Sequence, residues 1–434
     1  MPSITDSPSL ISQELRKKKR GEHVTGSKAI LDNLEMDLTA KASPWLVSIF
    51  SYHVPDDMAE HETGSQIYVY KKNRGEEIIF RGSGIIVECE QLVGGKYSNI
   101  ILTAASLFER TNGVLPHQVK VDVYLSDGKL FKGQVIACDF HYNLAAIRIV
   151  SYFPIQTATF KSLDDTLSIY PTHGLQLPGR SFQMPSNSNL FKIVPGTKII
   201  RLVHSYQPAG RLSISSGVFS DTFKRTLLNC NELYWVKHAN ANVDRCGGPV
   251  TNCSGEVIGI GFYRQPFLPA NIVSRWWEHF KSCGQYRRPW LGVEVANLYS
   301  SNLEFLEHFM MKFPNISTGV VVAEVTQDSP ASCSGIRPKD VIVECNGKVV
   351  SSKLQFFDVI WDMVGKSVEF NILRESTGEK LKLGLIVGDT TPDQFYKWRR
   401  PDWIAISKKQ NMLTVTPDDF VCLRNLSLDY ERRL

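Results

Sequence analysis

The sequence predicts a mainly β protein followed by a compact α+β module, and two observations carry that prediction. From Pro44 onward the chain breaks into short runs such as WLVSIFSY, IYVYKK, EEIIFRGSGIIVEC, NIILTAA, VKVDVYLSDGK, GQVIACD and LAAIRIV. Their lengths, their β-branched and aromatic content and the turn residues between them argue for an all-β barrel or sandwich. From Trp290 to about Gly388 the texture changes to short strands mixed with helical pieces, which suits an α+β module of roughly 100 residues.

The elements follow in chain order. Residues 1–43 are polar and read as a flexible basic arm, with a short helix expected around Ala29–Leu38. Ser126-Asp127-Gly128, between VDVYL and KLFKGQVIA, reads as a hairpin turn. The stretch over 163–195 is rich in Pro, Ser and Asn and reads as a long loop between two β units. Strands resume with TKIIRLVHSY, RLSISSGVFS, LYWVKHAN and EVIGIGFY. Ala270–Ser282 then carries helical spacing at Ile272, Trp276, His279 and Phe280, and Gly284 stands where a left-handed cap belongs. Arg287-Arg288-Pro289 marks a boundary. Beyond it come WLGVEV, the helical SNLEFLEHFMMKF, GVVVAEV, DSPASCSGI, KDVIVECNGKVV, KLQFFDVIWDMV, SVEFNIL and KLKLGLIV. The divisions are an arm over 1–43, a β domain over 44–285, a second module over 286–388 and a C-terminal extension over 389–434.

Composition narrows the classes. At 434 residues the chain is long enough for two or three cored domains, and 43% apolar with 21% charged residues excludes bulk disorder. A net charge of +5, part of it in the single run Arg16-Lys17-Lys18-Lys19-Arg20, does not argue for nucleic-acid binding. That run is either a nuclear-import signal or a solvated charge cluster. No stretch approaches the roughly 20 apolar residues of a membrane span, and MPSITDSPSLISQELRKKKR lacks the apolar segment of a secretory signal. The nine cysteines include no CxxC and no His/Cys group with zinc-ligand spacing. The expectation is reduced thiols in nucleus or cytosol, with no metal or cofactor and no membrane or nucleic-acid partner.

Three segments carry chemistry. The first is Gly82-Ser83-Gly84-Ile85-Ile86-Val87 with Ile101-Leu102-Thr103-Ala104-Ala105-Ser106. The second is Asp139-Phe140-His141-Tyr142-Asn143-Leu144-Ala145-Ala146-Ile147. The third is Asp244-Arg245-Cys246-Gly247-Gly248-Pro249-Val250, followed by Gly255-Glu256-Val257-Ile258-Gly259-Ile260. In order, spacing and strand context they resemble the Do-like (HtrA) proteases, where GSG-strand with LTxxHV supplies a histidine base, D-x-x-x-D-L-A-V an aspartate and G-N-S-G-G-P a serine nucleophile. The likeness continues into Trp290-Leu291-Gly292-Val293 and GVVVAEVTQDSPASCSGIRPKDVIVECNGKVV, which resemble the PDZ domain of that family. It covers about residues 44–388. It implies a trypsin-like double β-barrel followed by a PDZ-like α+β domain.

The resemblance places Ser106 at the histidine position, Asn143 at the aspartate position, Cys246 at the serine position and Asp244 at the oxyanion-hole glycine. Hydrolysis by this scaffold needs a nucleophile, an imidazole that accepts and returns its proton, and a carboxylate that holds the imidazole. A hydroxyl at Ser106 is no base near neutral pH, and with no imidazole there the amide of Asn143 has nothing to orient. The Cys246 thiol is intrinsically nucleophilic, and Arg245 beside it would favour the thiolate. It is otherwise a small residue filling a collapsed pocket, or a thiol with redox or ligand chemistry. The carboxylate of Asp244 would set negative charge beside a developing oxyanion. His141 and His238 fall near the cleft as substitute bases or as packing histidines.

On the same resemblance Trp290, Leu291, Gly292 and Val293 form the edge and loop that receive an extended peptide and its carboxylate. Trp290 is alternatively a wedge between the domains, and the module then a structural dock. Gly335, Asp340, Asn346 and Gly347 read as turn residues. Two functions follow. One is a non-catalytic pseudoprotease that binds proteins or peptides through the PDZ domain, with homo- or hetero-oligomers implied by family habit. The other is a residual or repurposed endopeptidase, serine-type by homology, with a cysteine nucleophile here.

Overall fold

The computed structural model describes residues 36–53, 71–72, 76–108, 119–170, 189–204, 212–220, 230–238, 246–263, 266–284 and 288–391. It opens with helix α1 over 36–42. Seven strands follow: β1 (Leu46–His53), β2 (Lys71–Lys72), β3 (Glu76–Gln91), β4 (Tyr97–Ala104), β5 (Val119–Tyr124), β6 (Leu130–Asp139) and β7 (Leu144–Ser151). Six close into a barrel in the order β1-β5-β6-β7-β4-β3, sealed by antiparallel pairing of β1 with β3, and β2 adds to the outer edge of β3. The inward residues are the β-branched ones the alternation selects: Ile49, Ile85, Ile101, Val121, Val123 and Ile147 are all buried. The turn between β5 and β6 forms at Ser126-Asp127-Gly128 as the sequence predicts. Gly128 takes φ +86, and Asp127 accepts the Lys129 main-chain N–H.

The first helix corrects the reading of residues 1–43 as a flexible arm. Leu38 and Ala42, one turn apart, are buried in the same core as Trp45. Residues 29–35 of the expected helix lie outside the described residues.

The loop over 163–195 contains two short strands, β8 (Leu163–Asp164) and β9 (Phe191–Lys192), paired in parallel. The second barrel is β10 (Lys198–His204), β11 (Leu212–Phe219), β12 (Tyr234–His238), β13 (Gly248–Thr251), β14 (Val257–Gly261) and β15 (Pro266–Pro269), closed in the order β10-β11-β12-β15-β14-β13. Helix α2 (Ala270–Cys283) covers it with Ile272, Val273, Trp276 and Trp277, and ends at Gly284 in the left-handed conformation.

The C-terminal domain comprises β16 (Pro289–Trp290), β17 (Val293–Asn297), α3 (Leu303–Lys312), β18 (Val320–Val325), α4 (Pro330–Ser334), β19 (Asp340–Cys345), β20 (Lys348–Val349), α5 (Lys353–Ile360), β21 (Ser367–Arg374), β22 (Glu379–Ile386) and β23 (Gly388–Asp389). Its sheet runs β17-β18-β19-β21-β22, with β20 beside β19. The helices start where side chains cap them: Asn302 accepts from Phe305 N, Ser329 from Ser332 N and Ser352 from Gln355 N. Gly335, Asn346 and Gly347 take positive φ, as turn residues should. Asp340 closes the turn at 337–340, where its Oδ2 accepts Arg337 N at 2.9 Å and its N–H donates to Arg337 O, and it does more than that. It is buried and accepts Arg374 Nε and Nη2, each at 2.8 Å. Strand β23 carries the domain just past 388, where Thr390 N donates to Arg288 O.

Polar and aromatic side chains join this domain to the barrels. Arg288 Nη2 lies 2.6 Å from Asp139 Oδ1, with both residues buried. Trp276 Nε1 donates to the other oxygen of the same carboxylate at 3.0 Å. Asn297 donates to Asp165 and accepts the Lys353 main-chain N–H. Trp361 stacks on Tyr142 with ring centroids 5.8 Å apart.

Candidate functional site: the barrel cleft and the interdomain groove

The three motif segments converge between the barrels, and glycines make the approach possible. A side-chain carbon at Gly82 would lie 2.8 Å from the Cys246 carbonyl oxygen and 2.6 Å from Leu107. With no such carbon in the way, Ser83 N donates to Cys246 O at 3.1 Å. Gly247, at φ +84, would place a Cβ 2.3 Å from Thr103 Oγ1 and 2.4 Å from Ser83 O. Both conditions admit glycine and little else. Thr103 Oγ1 in turn donates to Ser83 O at 2.7 Å, tying together the two halves of the first segment against which Gly247 of the third packs.

The second segment joins through Asn143. It is buried at φ +54, a conformation that asparagine tolerates better than most residues. Its Oδ1 accepts the main-chain N–H of Ser106 at 2.7 Å, and its carbonyl accepts Ala105 N at 3.0 Å. The expectation that the Asn143 amide has nothing to orient is therefore corrected: it holds the short 3-10 turn Ala105–Leu107 on which Ser106 sits. Cys246 is half-buried and packs on the main core. The structure thus brings Ser106, Asn143 and Cys246 to one region as a hydroxyl, an amide and a thiol. Asp244, Arg245, residues Arg16, Lys17, Lys18, Lys19 and Arg20, and the extension beyond residue 391 lie outside the described residues, as does the side chain of His238.

His141 belongs to a different place. It is buried, burial pushes its imidazole below the usual histidine range, and it lines a cavity of about 480 Å³ between the domains. That cavity is bounded by Asn231 and Glu232 from the barrels, by Trp290, Leu291, Gly292 and Val293, and by Phe356, Phe357 and Ile360 of α5. Trp290, Leu291, Gly292 and Val293 therefore line one wall of this groove. Leu291 is buried, and its carbonyl accepts Ala331 N at 3.0 Å. Gly292 sits at φ +73, where a Cβ would fall 2.1 Å from Ser329 Cβ. Trp290 pairs with Gly388 and is half-buried against the C-terminal strand. Asn231 Nδ2 donates to Val293 O at 2.9 Å, so a barrel residue holds one carbonyl of the groove edge.

Sequence reasoning did not anticipate the floor of this cavity. His141, Cys230 and Glu232 are all buried, and one ligand-type atom from each lies within 4.8 Å of the others. Glu232 Oε1 accepts the Tyr142 hydroxyl at 3.2 Å, and Oε2 accepts the Cys230 thiol at 3.5 Å. Burial and the neighbouring Glu232 carboxylate push the Cys230 thiol well above the usual range. His141 comes from a segment far from Cys230 and Glu232 in the chain, so no local spacing reveals the group.

Two family models match the chain: a trypsin-like peptidase domain over residues 82–260 and a PDZ domain over 289–385. An Arabidopsis thaliana protein carrying the name protease Do-like 14 is 27% identical over 323 residues, covering 72% of this chain and 65% of its own length. Human serine protease HTRA3 is 32% identical over 267 residues, covering 59% of this chain and 53% of its own. A solved HtrA-type protease, AlgW with a tripeptide, aligns with 82% of this chain and 97% of its own at 19% identity and a TM-score of 0.49. The chain thus spans less than two thirds of the length of these two curated relatives.

Proposed function

For a chain that belongs to the Do-like (HtrA) protease family, as this one does, we propose a role in recognition without hydrolysis: a pseudoprotease that binds protein or peptide segments at its PDZ groove. The bond from Ser106 N to Asn143 Oδ1 carries the first half of this reading. Where the mechanism requires a carboxylate gripping an imidazole, an amide oxygen grips main chain, and the residue at the base position offers only a hydroxyl. With a hydroxyl where the resemblance puts the base, the family's route for activating the nucleophile and returning a proton to a leaving amine is missing.

The intact loop at Trp290–Val293 and the adjoining cavity support the second half. An extended peptide would add beside β17, with its carboxylate at the loop and an apolar side chain among Phe356, Phe357 and Ile360. Oligomers with active relatives fit this reading. So does a nuclear or cytosolic location served by the Arg16–Arg20 run, and among the described residues no helix is long and apolar enough to cross a membrane.

The test is fluorescence polarisation with a library of labelled peptides carrying free or amidated C-termini. Binding that weakens by about tenfold or more on amidation, and again in Gly292→Ala, is expected. Equal affinity for free and amidated ends would remove the carboxylate-loop reading.

A further inference from the structure

The buried trio at the floor of the groove has the chemistry of a metal site. A thiol, an imidazole and a carboxylate are the three donor types that zinc takes, and the thiolate disfavours magnesium and calcium, which prefer oxygen ligands. Two come from one short segment, Cys230 and Glu232, and the third from the turn between β6 and β7. Their separations of up to 4.8 Å exceed the roughly 3.3–3.8 Å edges of a tetrahedron built on bonds of 2.0–2.3 Å. Closing that gap requires the side chains to move by about 1 Å.

Two further observations point to a cation. Glu232 is buried, yet its oxygens accept from a phenol at 3.2 Å and a thiol at 3.5 Å, both long and neutral donors. Arg288, whose charge acts on His141 and Tyr142, pairs with Asp139 at 2.6 Å. A buried carboxylate that accepts from two neutral donors would gain from a cation. Binding Zn²⁺ would release the thiol proton to solvent, leaving one thiolate, one carboxylate and one neutral imidazole around a dication, so the charges sum to zero. The second observation is orientation. Tyr142, fully buried under Trp361, fixes Glu232 through its hydroxyl, as outer partners of metal ligands do.

We propose that His141, Cys230 and Glu232 form a zinc site whose fourth position opens into the groove beside the Trp290–Val293 loop. His141 and Glu232 line that cavity directly, so an exchangeable water or a ligand from an entering segment completes the coordination. The site rests on no part of the recognition reading, and either can fail alone.

Cobalt titration of the metal-free full chain tests it. The exposed thiols are removed first by Cys253→Ser, Cys283→Ser and Cys333→Ser together. Stoichiometric cobalt is expected to give the visible bands of a tetrahedral ion with a thiolate charge-transfer band, both bleached by zinc. Cys230→Ser should remove the charge-transfer band, His141→Ala should weaken zinc binding at least about a hundredfold, and Tyr142→Phe about tenfold. Should Cys230→Ser or His141→Ala not fold, Glu232→Gln, which keeps shape and burial, should still weaken zinc binding by about tenfold or more. Absence of a thiolate band in the parent, or a band of equal strength in Cys230→Ser, would overturn the site.

Discussion

The cleft at Cys246 and the groove at Trp290 are built with the same device and differ in what surrounds it. Each depends on a glycine at positive φ pressed against neighbouring atoms: Gly247 on Thr103 and Ser83, Gly292 on Ser329. In the groove, that glycine sits in a loop whose neighbours form a cavity lined by both polar and apolar residues. In the cleft, it sits among a hydroxyl, an amide and a thiol, with the hydroxyl where the resemblance puts the base. Close backbone approach specifies the fold whether or not chemistry is present. A glycine motif therefore reports packing, and only the titratable side chains beside it report a reaction.

The largest expected effect tests whether the two regions are coupled. Arg288→Ala leaves Asp139 buried without its ion-pair partner, and should cost about 3–5 kcal/mol in denaturant unfolding. A change below about 1 kcal/mol would mean that the domains are not held at this seam. Next, Gly247→Ala should lower stability by about 3 kcal/mol, through a Cβ that meets Thr103 and Ser83 and through the strain of φ +84. Gly196, at φ +90 with open space around it, is the control: Gly196→Ala should cost only about 1 kcal/mol. Equal melting points for the two variants would break the claim that the cleft glycine is there for packing. The smallest effect concerns the groove. Asn231→Ala removes the donor on the Val293 carbonyl, which an added strand would otherwise have to displace. Losing one such bond is worth about 1 kcal/mol, so peptide affinity should rise about fivefold. Unchanged affinity would show that Val293 O lies outside the peptide path.

Much of this was legible in the sequence because it is local. Strand runs, the Ser126-Asp127-Gly128 turn and the Gly284 cap are written in neighbouring residues; the turn and cap form where the pattern puts them, as do the runs among the described residues, while 67–70 of IYVYKK lie outside those. What escaped was long-range. Asp340 is the turn residue it looks like, and its second role, the pair with Arg374, shows only in the fold. Asn143 looks idle until the Ser106 N–H folds against its oxygen. The His141, Cys230 and Glu232 group exists only once the segment before β12 meets the turn before β7. Helix α1 is an intermediate case. Leu38 and Ala42 have the helical spacing, but the polar residues between them hid a buried face.

The central claim is that the cleft turns nothing over, and one comparison tests it most directly. Purified chain and its Cys246→Ala variant are incubated with casein and with a mixed peptide library, and products are counted by mass spectrometry over time. Loss of a complete triad lowers turnover by about 10⁶-fold in a protease of this mechanism, so both samples should match the buffer control. Cleavage by the parent that disappears in Cys246→Ala would contradict the account.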